Sequence, residues 1–178
     1  MDFDHDTQTA EIKIGDFGLA GHKKVDINSD IGKTQFSTVN GTTIYLSPER
    51  LQGQSYNYNS DIWSLGVLTI ELMTGVHPLS TLSSLSHFDI VDKMETIQSD
   101  MMGMLDNYDA TVKPEKKLSS EFRDFINQAC EPFKEKRPFA EDLLHHPWIL
   151  KFKNDGKDNN QLFSLWLKQF FIKKKAGK

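Results

Sequence analysis

The chain has 178 residues, of which 38% are hydrophobic and 26% charged, and a formal net charge of −4. That length and balance suit one ordinary globular domain with its own core, and the mild acidity argues against a nucleic-acid binder. One cysteine, Cys130, excludes an intrachain disulfide and fits a reducing compartment, and no apolar run reaches membrane-spanning length.

In chain order, Met1 to Phe3 and Glu11 to Ile14 flank the polar stretch Asp4 to Ala10, a pattern that predicts a hairpin with a long turn. The first residues, Met1-Asp2-Phe3-Asp4-His5-Asp6, are acidic where a secretory signal is basic and then apolar. Ile14-Gly15-Asp16-Phe17-Gly18 then places a carboxylate between glycines at the end of an apolar run. Such a carboxylate can approach a phosphate-bound metal ion without side-chain crowding. From Leu19 to Asn40 the chain is rich in Gly, Asp, Asn and Ser, the composition of a surface loop. Gly41 to Glu49 closes this region with a Pro-containing turn ending in an acid, and Ser47-Pro48-Glu49-Arg50 starts a turn or short helix.

The clearest helix is expected over Asp61 to Met73. Ser60 suits its N-cap, Asp61 its first turn and Gly75 its exit. Its apolar residues, Ile62, Trp63, Leu65, Val67, Leu68, Ile70, Leu72 and Met73, go nearly all round, which predicts a helix buried on every side. A further helix is expected over His87 to Ile97, with mostly loop from Met101 to Leu118. Phe122, Phe125, Ile126 and Ala129 recur at helical spacing within Ser120 to Cys130, ahead of Pro132. Ala140 to His145 reads as a short helix stopped by Pro147, and 151–161 as a polar linker. Phe163, Trp166, Leu167, Phe170 and Phe171 mark a last amphipathic helix over 162–172, followed by Lys173 to Lys175.

Asp-Phe-Gly alone is a weak signal. Asp16-Phe17-Gly18 followed about thirty residues later by Ser47-Pro48-Glu49 is much stronger, because such strings bracket the activation segment of protein kinases. Ser60-Asp61-Ile62-Trp63-Ser64-Leu65-Gly66, Glu135-Lys136-Arg137-Pro138 and His146-Pro147-Trp148-Ile149 also resemble kinase strings, and the block from Ser47 to Gly66 resembles mitogen-activated protein (MAP) kinase kinases in particular. The resemblance implies a mainly α fold: the C-terminal lobe of a protein kinase with a short β hairpin at its N-terminus, over residues 1–150.

The resemblance also implies roles for individual residues. Asp16 corresponds to the magnesium ligand, and with it to the ATP site. Phe17 corresponds to the packing switch beside it, with Gly18 completing the motif. Thr42 corresponds to the substrate-facing threonine, and Glu49 and Arg137 to an ion pair that anchors the activation segment. Asp61 corresponds to the brace of the catalytic loop. Thr38 falls on an activating phosphorylation position and Thr34 on the second; the loop is longer than the family usually has, so Ser29 and Ser37 are alternatives for that second site. The expected cofactors are ATP and Mg²⁺ in the parent kinase, weak or absent for this stretch alone. The expected partners are a MAP kinase substrate and an upstream kinase, the latter docking through Phe163, Trp166, Leu167 and Phe170 unless that stripe simply packs on the lobe. Neither nucleic acid nor membrane is expected as a partner, and the expected location is cytoplasmic.

The 178 residues contain no G-x-G-x-x-G loop and no H-R-D-L-x-x-x-N catalytic loop, and His5-Asp6 does not replace the latter. No strand lysine with its partner glutamate is recognisable either. The expectation is therefore a truncated kinase, a real fragment or a gene model begun at an internal methionine, inactive by itself. The alternative is a non-catalytic module that docks or sequesters partners of a kinase cascade.

Overall fold

The computed structural model describes residues 2–4, 9–11, 13–15, 44–80 and 93–154. They fall in two units, Met1–Ile27 with Phe152–Lys178, and Asn28–Lys151. In the first, β1 (Asp2–Asp4) pairs antiparallel with β2 (Thr9–Glu11), Asp2 opposite Glu11 and Phe3 opposite Ala10. The second strand thus lies earlier than the expected stretch from Glu11 to Ile14, and residues 13–15 carry no regular secondary structure.

The second unit is helical. It holds α1 (Pro48–Leu51), α2 (Ser60–Thr74), α3 (Met94–Thr111), a 3₁₀ turn at Pro114–Lys116, α4 (Ser120–Ala129), α5 (Ala140–Leu143) and the start of α6 (Pro147–Asn154). Its core lies where α2, α3 and α4 meet. Trp63, Val67 and Ile70 come from α2, Met101 and Leu105 from α3, and Phe122, Phe125 and Ile126 from α4, all almost wholly removed from solvent.

The sequence explains the boundaries. At α4, Ser119 Oγ accepts a hydrogen bond from the Phe122 backbone N–H at 3.2 Å, satisfying one of the free donors of the first turn. The same helix buries Phe122, Phe125, Ile126 and Ala129, spaced i, i+3, i+4 and i+7. α2 ends where Gly75 enters the left-handed region at φ 75° and donates its N–H to Glu71 O at 2.8 Å. At α5, the Asp142 carboxylate reaches back to the Phe139 N–H at 2.9 Å. At α6, Pro147 takes the first position and His146 Nδ1 accepts the Trp148 N–H at 3.2 Å.

Three expectations are corrected. Ser60 is not an N-cap: Asn59 precedes the helix, and Ser60 turns its hydroxyl to Glu49. α2 is not buried all round. Leu65, Leu68 and Leu72 line an exposed face, Leu72 at 75% exposure, because α3 and α4 cover the opposite side. Finally, 101–111 is helix rather than loop. Gly103, Asn107, Asp109 and Thr111 are weak helix formers, but Ile97, Met101 and Leu105 at i, i+4 and i+8 bury one continuous stripe that outweighs propensity.

Candidate functional site

The most elaborate polar arrangement among the described residues joins α1, the start of α2 and the 131–137 turn. Arg137 Nη1 and Nη2 donate to Glu49 Oε1 and Oε2, each at 2.9 Å, in a two-pronged pair. The other guanidinium donors are also used. Nε reaches Glu131 O at 2.8 Å, Nη1 also reaches Asn59 O at 3.2 Å, and Nη2 also reaches Pro132 O at 3.3 Å. A guanidinium has five N–H groups, and here every one has an acceptor. Both side chains are buried, at 0% and 3% exposure, where an unpaired charge would be very costly.

Neighbours complete the node. Ser60 Oγ donates to Glu49 Oε1 at 2.6 Å. Asn59 Nδ2 donates to Lys134 O at 2.7 Å and Arg137 O at 3.1 Å, so one amide holds the turn that carries the arginine. The guanidinium carbon lies 5.4 Å from the centre of the Trp63 ring, within cation–π reach. Burial pushes the Glu49 carboxyl up, but the hydrogen bonds from Arg137 and Ser60 and the nearby positive charge outweigh it and hold the group at about 2. The carboxylate is therefore ionised at neutral pH. With Glu49 and Arg137 both fully engaged, the chemistry of the pair is that of an anchor.

The segment entering α1 is tied to α2 by a second set of contacts. Ser64 Oγ donates to Tyr45 O at 2.8 Å, and Tyr45 O–H donates to Glu71 Oε2 at 2.5 Å. The His77 ring meets the Tyr45 ring edge-on, with centroids 4.6 Å apart. Farther along, Arg123 bridges α4 to α3 through Asp106 and Asp109, each at 2.7 Å, and His146 Nε2 contacts Asp124 Oδ2 at 3.0 Å.

Of the residues singled out from the sequence, the structure thus brings Glu49 and Arg137 together. Asp61 sits exposed in the first turn of α2. Asp16, Phe17, Gly18, Thr34, Thr38 and Thr42 lie outside the described residues, as do Phe163, Trp166, Leu167 and Phe170. Asn59, Trp63, Tyr45 and Glu71 were not predicted as members of these sites. No periodicity marks them, since each acts through a contact distant in sequence. Among the described residues no group of three His, Cys, Asp or Glu side chains is placed to hold a metal ion, and no helix is long and apolar enough to cross a membrane.

A helical core with a buried glutamate–arginine anchor coincides with a sequence-family match: the protein kinase domain, over residues 3–149. The chain belongs to the protein kinase family. It is 32% identical over 151 residues to mitogen-activated protein kinase kinase 5 of Leishmania mexicana, covering 83% of this chain and 26% of that protein. It is 36% identical over 148 residues to mitogen-activated protein kinase kinase 1c of Physcomitrium patens, covering 82% of this chain and 38% of that protein. It is also 31% identical over 148 residues to Aurora kinase of Schizosaccharomyces pombe, covering 81% and 34% respectively. The chain therefore spans well under half the length of these relatives.

Proposed function

We propose that the chain is the C-terminal lobe of a MAP kinase kinase-type protein kinase, with the hairpin β1–β2 at its N-terminal side. The parent activity is transfer of the γ-phosphoryl group of ATP to Ser, Thr and Tyr of a MAP kinase. The observation that carries this reading is the Glu49–Arg137 node: it fixes the end of the Asp16-to-Glu49 segment to the helical core, which is what an activation segment needs at its C-terminal anchor. In the parent kinase ATP supplies the phosphoryl group and Mg²⁺ neutralises its developing charge. Asp16 is the residue of this chain assigned to the metal, and Thr42 the residue assigned to the substrate side.

These 178 residues by themselves transfer no phosphate. Phosphoryl transfer rests on several positioned groups acting together, and the strings that supply the catalytic aspartate, the second metal ligand and the phosphate-covering loop are absent from them. The same absence favours a second reading, a non-catalytic module that docks or sequesters partners of a kinase cascade. A radiolabel transfer assay on the purified chain with ATP, Mg²⁺ and a MAP kinase tests the inactivity that both readings expect. Background incorporation is expected; incorporation abolished by Asp16→Ala would overturn the inactive reading.

A further inference from the structure

Beyond the last turn of α2, the chain passes through Gly75 and brings His77 against Tyr45. His77 Nδ1 accepts the Leu79 backbone N–H at 3.0 Å. The neutral ring therefore carries its proton on Nε2, a buried atom without a hydrogen-bond partner. Orphaned buried polar atoms of this kind are uncommon. Beside the ring, Tyr45 O–H is committed to Glu71 Oε2. Among the described residues, the titratable groups facing His77 are Tyr45, from the segment entering α1, and Glu71, from α2; the turn itself supplies only Val76, Pro78 and Leu79.

A proton arriving on Nδ1 changes two things at once. The Leu79 N–H loses its acceptor. The ring becomes a buried cation, which needs an anion. Glu71 is the carboxylate whose charge acts on it. We propose that His77 is an acid-operated latch: in its neutral form it holds the 77–79 turn closed and leaves Glu71 to Tyr45, and in its protonated form it takes Glu71 and releases the Tyr45 hydroxyl. One proton from solvent is bound per event and no bond other than N–H forms. Burial holds the imidazole below its usual range, with Glu71 pulling the other way, so the latch stays closed at neutral pH. Tyr45 lies four residues before Glu49, so opening loosens the approach to α1 while the Glu49–Arg137 anchor, held at about 2, keeps its charge.

The test is a nitrogen-15 NMR titration of the full chain from pH 8 to pH 5. The expected result is an Nε2–H tautomer at high pH and a His77 midpoint below 6.5, with the Leu79 amide and Tyr45 ring signals moving at the same midpoint. His77→Asn retains a side-chain acceptor for Leu79 but cannot titrate in this range, and should abolish the Tyr45 transition. Glu71→Gln should move the His77 midpoint further down. If a variant fails to fold, hydrogen exchange at the His77 ring carbon and nitration of Tyr45 in the parent chain, read by mass spectrometry, give the two midpoints independently. Tyr45 signals that stay flat while His77 titrates would overturn the latch, as would a Tyr45 transition that survives in His77→Asn or two midpoints that differ.

Discussion

A Cβ placed on Gly66 would lie 2.6 Å from the Cys130 sulfur and 3.1 Å from the Ala129 Cβ. α2 and α4 therefore approach each other across a glycine whose missing side chain is filled by the neighbouring helix end. Helix propensity alone favours alanine there by about 1 kcal/mol, and packing decides against it.

Gly66→Ala should accordingly lose stability on balance, by about 1–2 kcal/mol, because overpacking typically costs ~1–3 kcal/mol. Urea unfolding measures this. The double variant with Cys130→Ala should lose less than the sum of the two single changes, since the sulfur is the closest atom to the added methyl. A Gly66→Ala chain as stable as the parent would show that the helices slide apart freely.

Arg137→Ala strands a buried carboxylate and should cost ~3–5 kcal/mol. Arg137→Lys should cost nearly as much, because an ammonium has three donors and no planar fork, and cannot serve acceptors spread over Glu49, Asn59, Glu131 and Pro132. Thermal melts of both variants check the point; a lysine variant with parental stability would refute the fork argument.

Acid should undo the same node in a defined window. The Glu49 carboxyl lies at about 2 when folded, against an unfolded value near 4.5. Its stabilising contribution is thus complete above pH 4.5 and is lost as pH falls from there toward 2. In Arg137→Ala the carboxyl loses its strongest opposing contact and should move up toward or past its unfolded value, so the loss of stability between pH 4.5 and 2 should shrink or vanish relative to the parent.

Cys130 should be inert in the native chain. Burial pushes its thiol up to about 12, with the Arg137 charge opposing only slightly, and its sulfur is packed against α2. Thiol reagents act on the thiolate of an accessible cysteine. Labelling should therefore follow global unfolding in urea, and rapid labelling without denaturant would contradict the assigned burial.

Phosphate added by an upstream kinase should appear at Thr38, with Thr34 or a neighbouring hydroxyl as the second site. Each phosphate brings about −1.5 to −2 charges and can order a loop against basic groups. Phosphopeptide mapping after incubation with such a kinase reads this directly; phosphate confined to residues outside 34–43 would remove the proposal.

The sequence was most informative where chemistry or periodicity is local. The Phe122-to-Ala129 stripe, the Gly75 exit and the strings around Asp16, Glu49 and Arg137 were all visible without coordinates. The Glu49–Arg137 contact was available only through resemblance, because neither residue alone differs from a solvated surface charge. Asn59, which clasps two carbonyls of the 134–137 turn, left no mark in the sequence. The helix α3 was obscured by its own weak formers, since a three-residue apolar stripe is decided by what packs on it. The exposed face of α2 was misjudged for the converse reason: an all-round apolar pattern states what could be buried, and neighbours determine what is.

The partners in the arginine clasp stand 88 residues apart along the chain, and Asn59 reaches its acceptors across 75 and 78. The helices around them are built from contacts within a few residues, whereas the clasp closes a long loop whose entropy must be surrendered before any bond is gained. It belongs late in folding. Removing Arg137 should then leave the refolding limb of a chevron nearly where it was and raise the unfolding limb steeply, so that the clasp governs how long the native state survives rather than how soon it is reached.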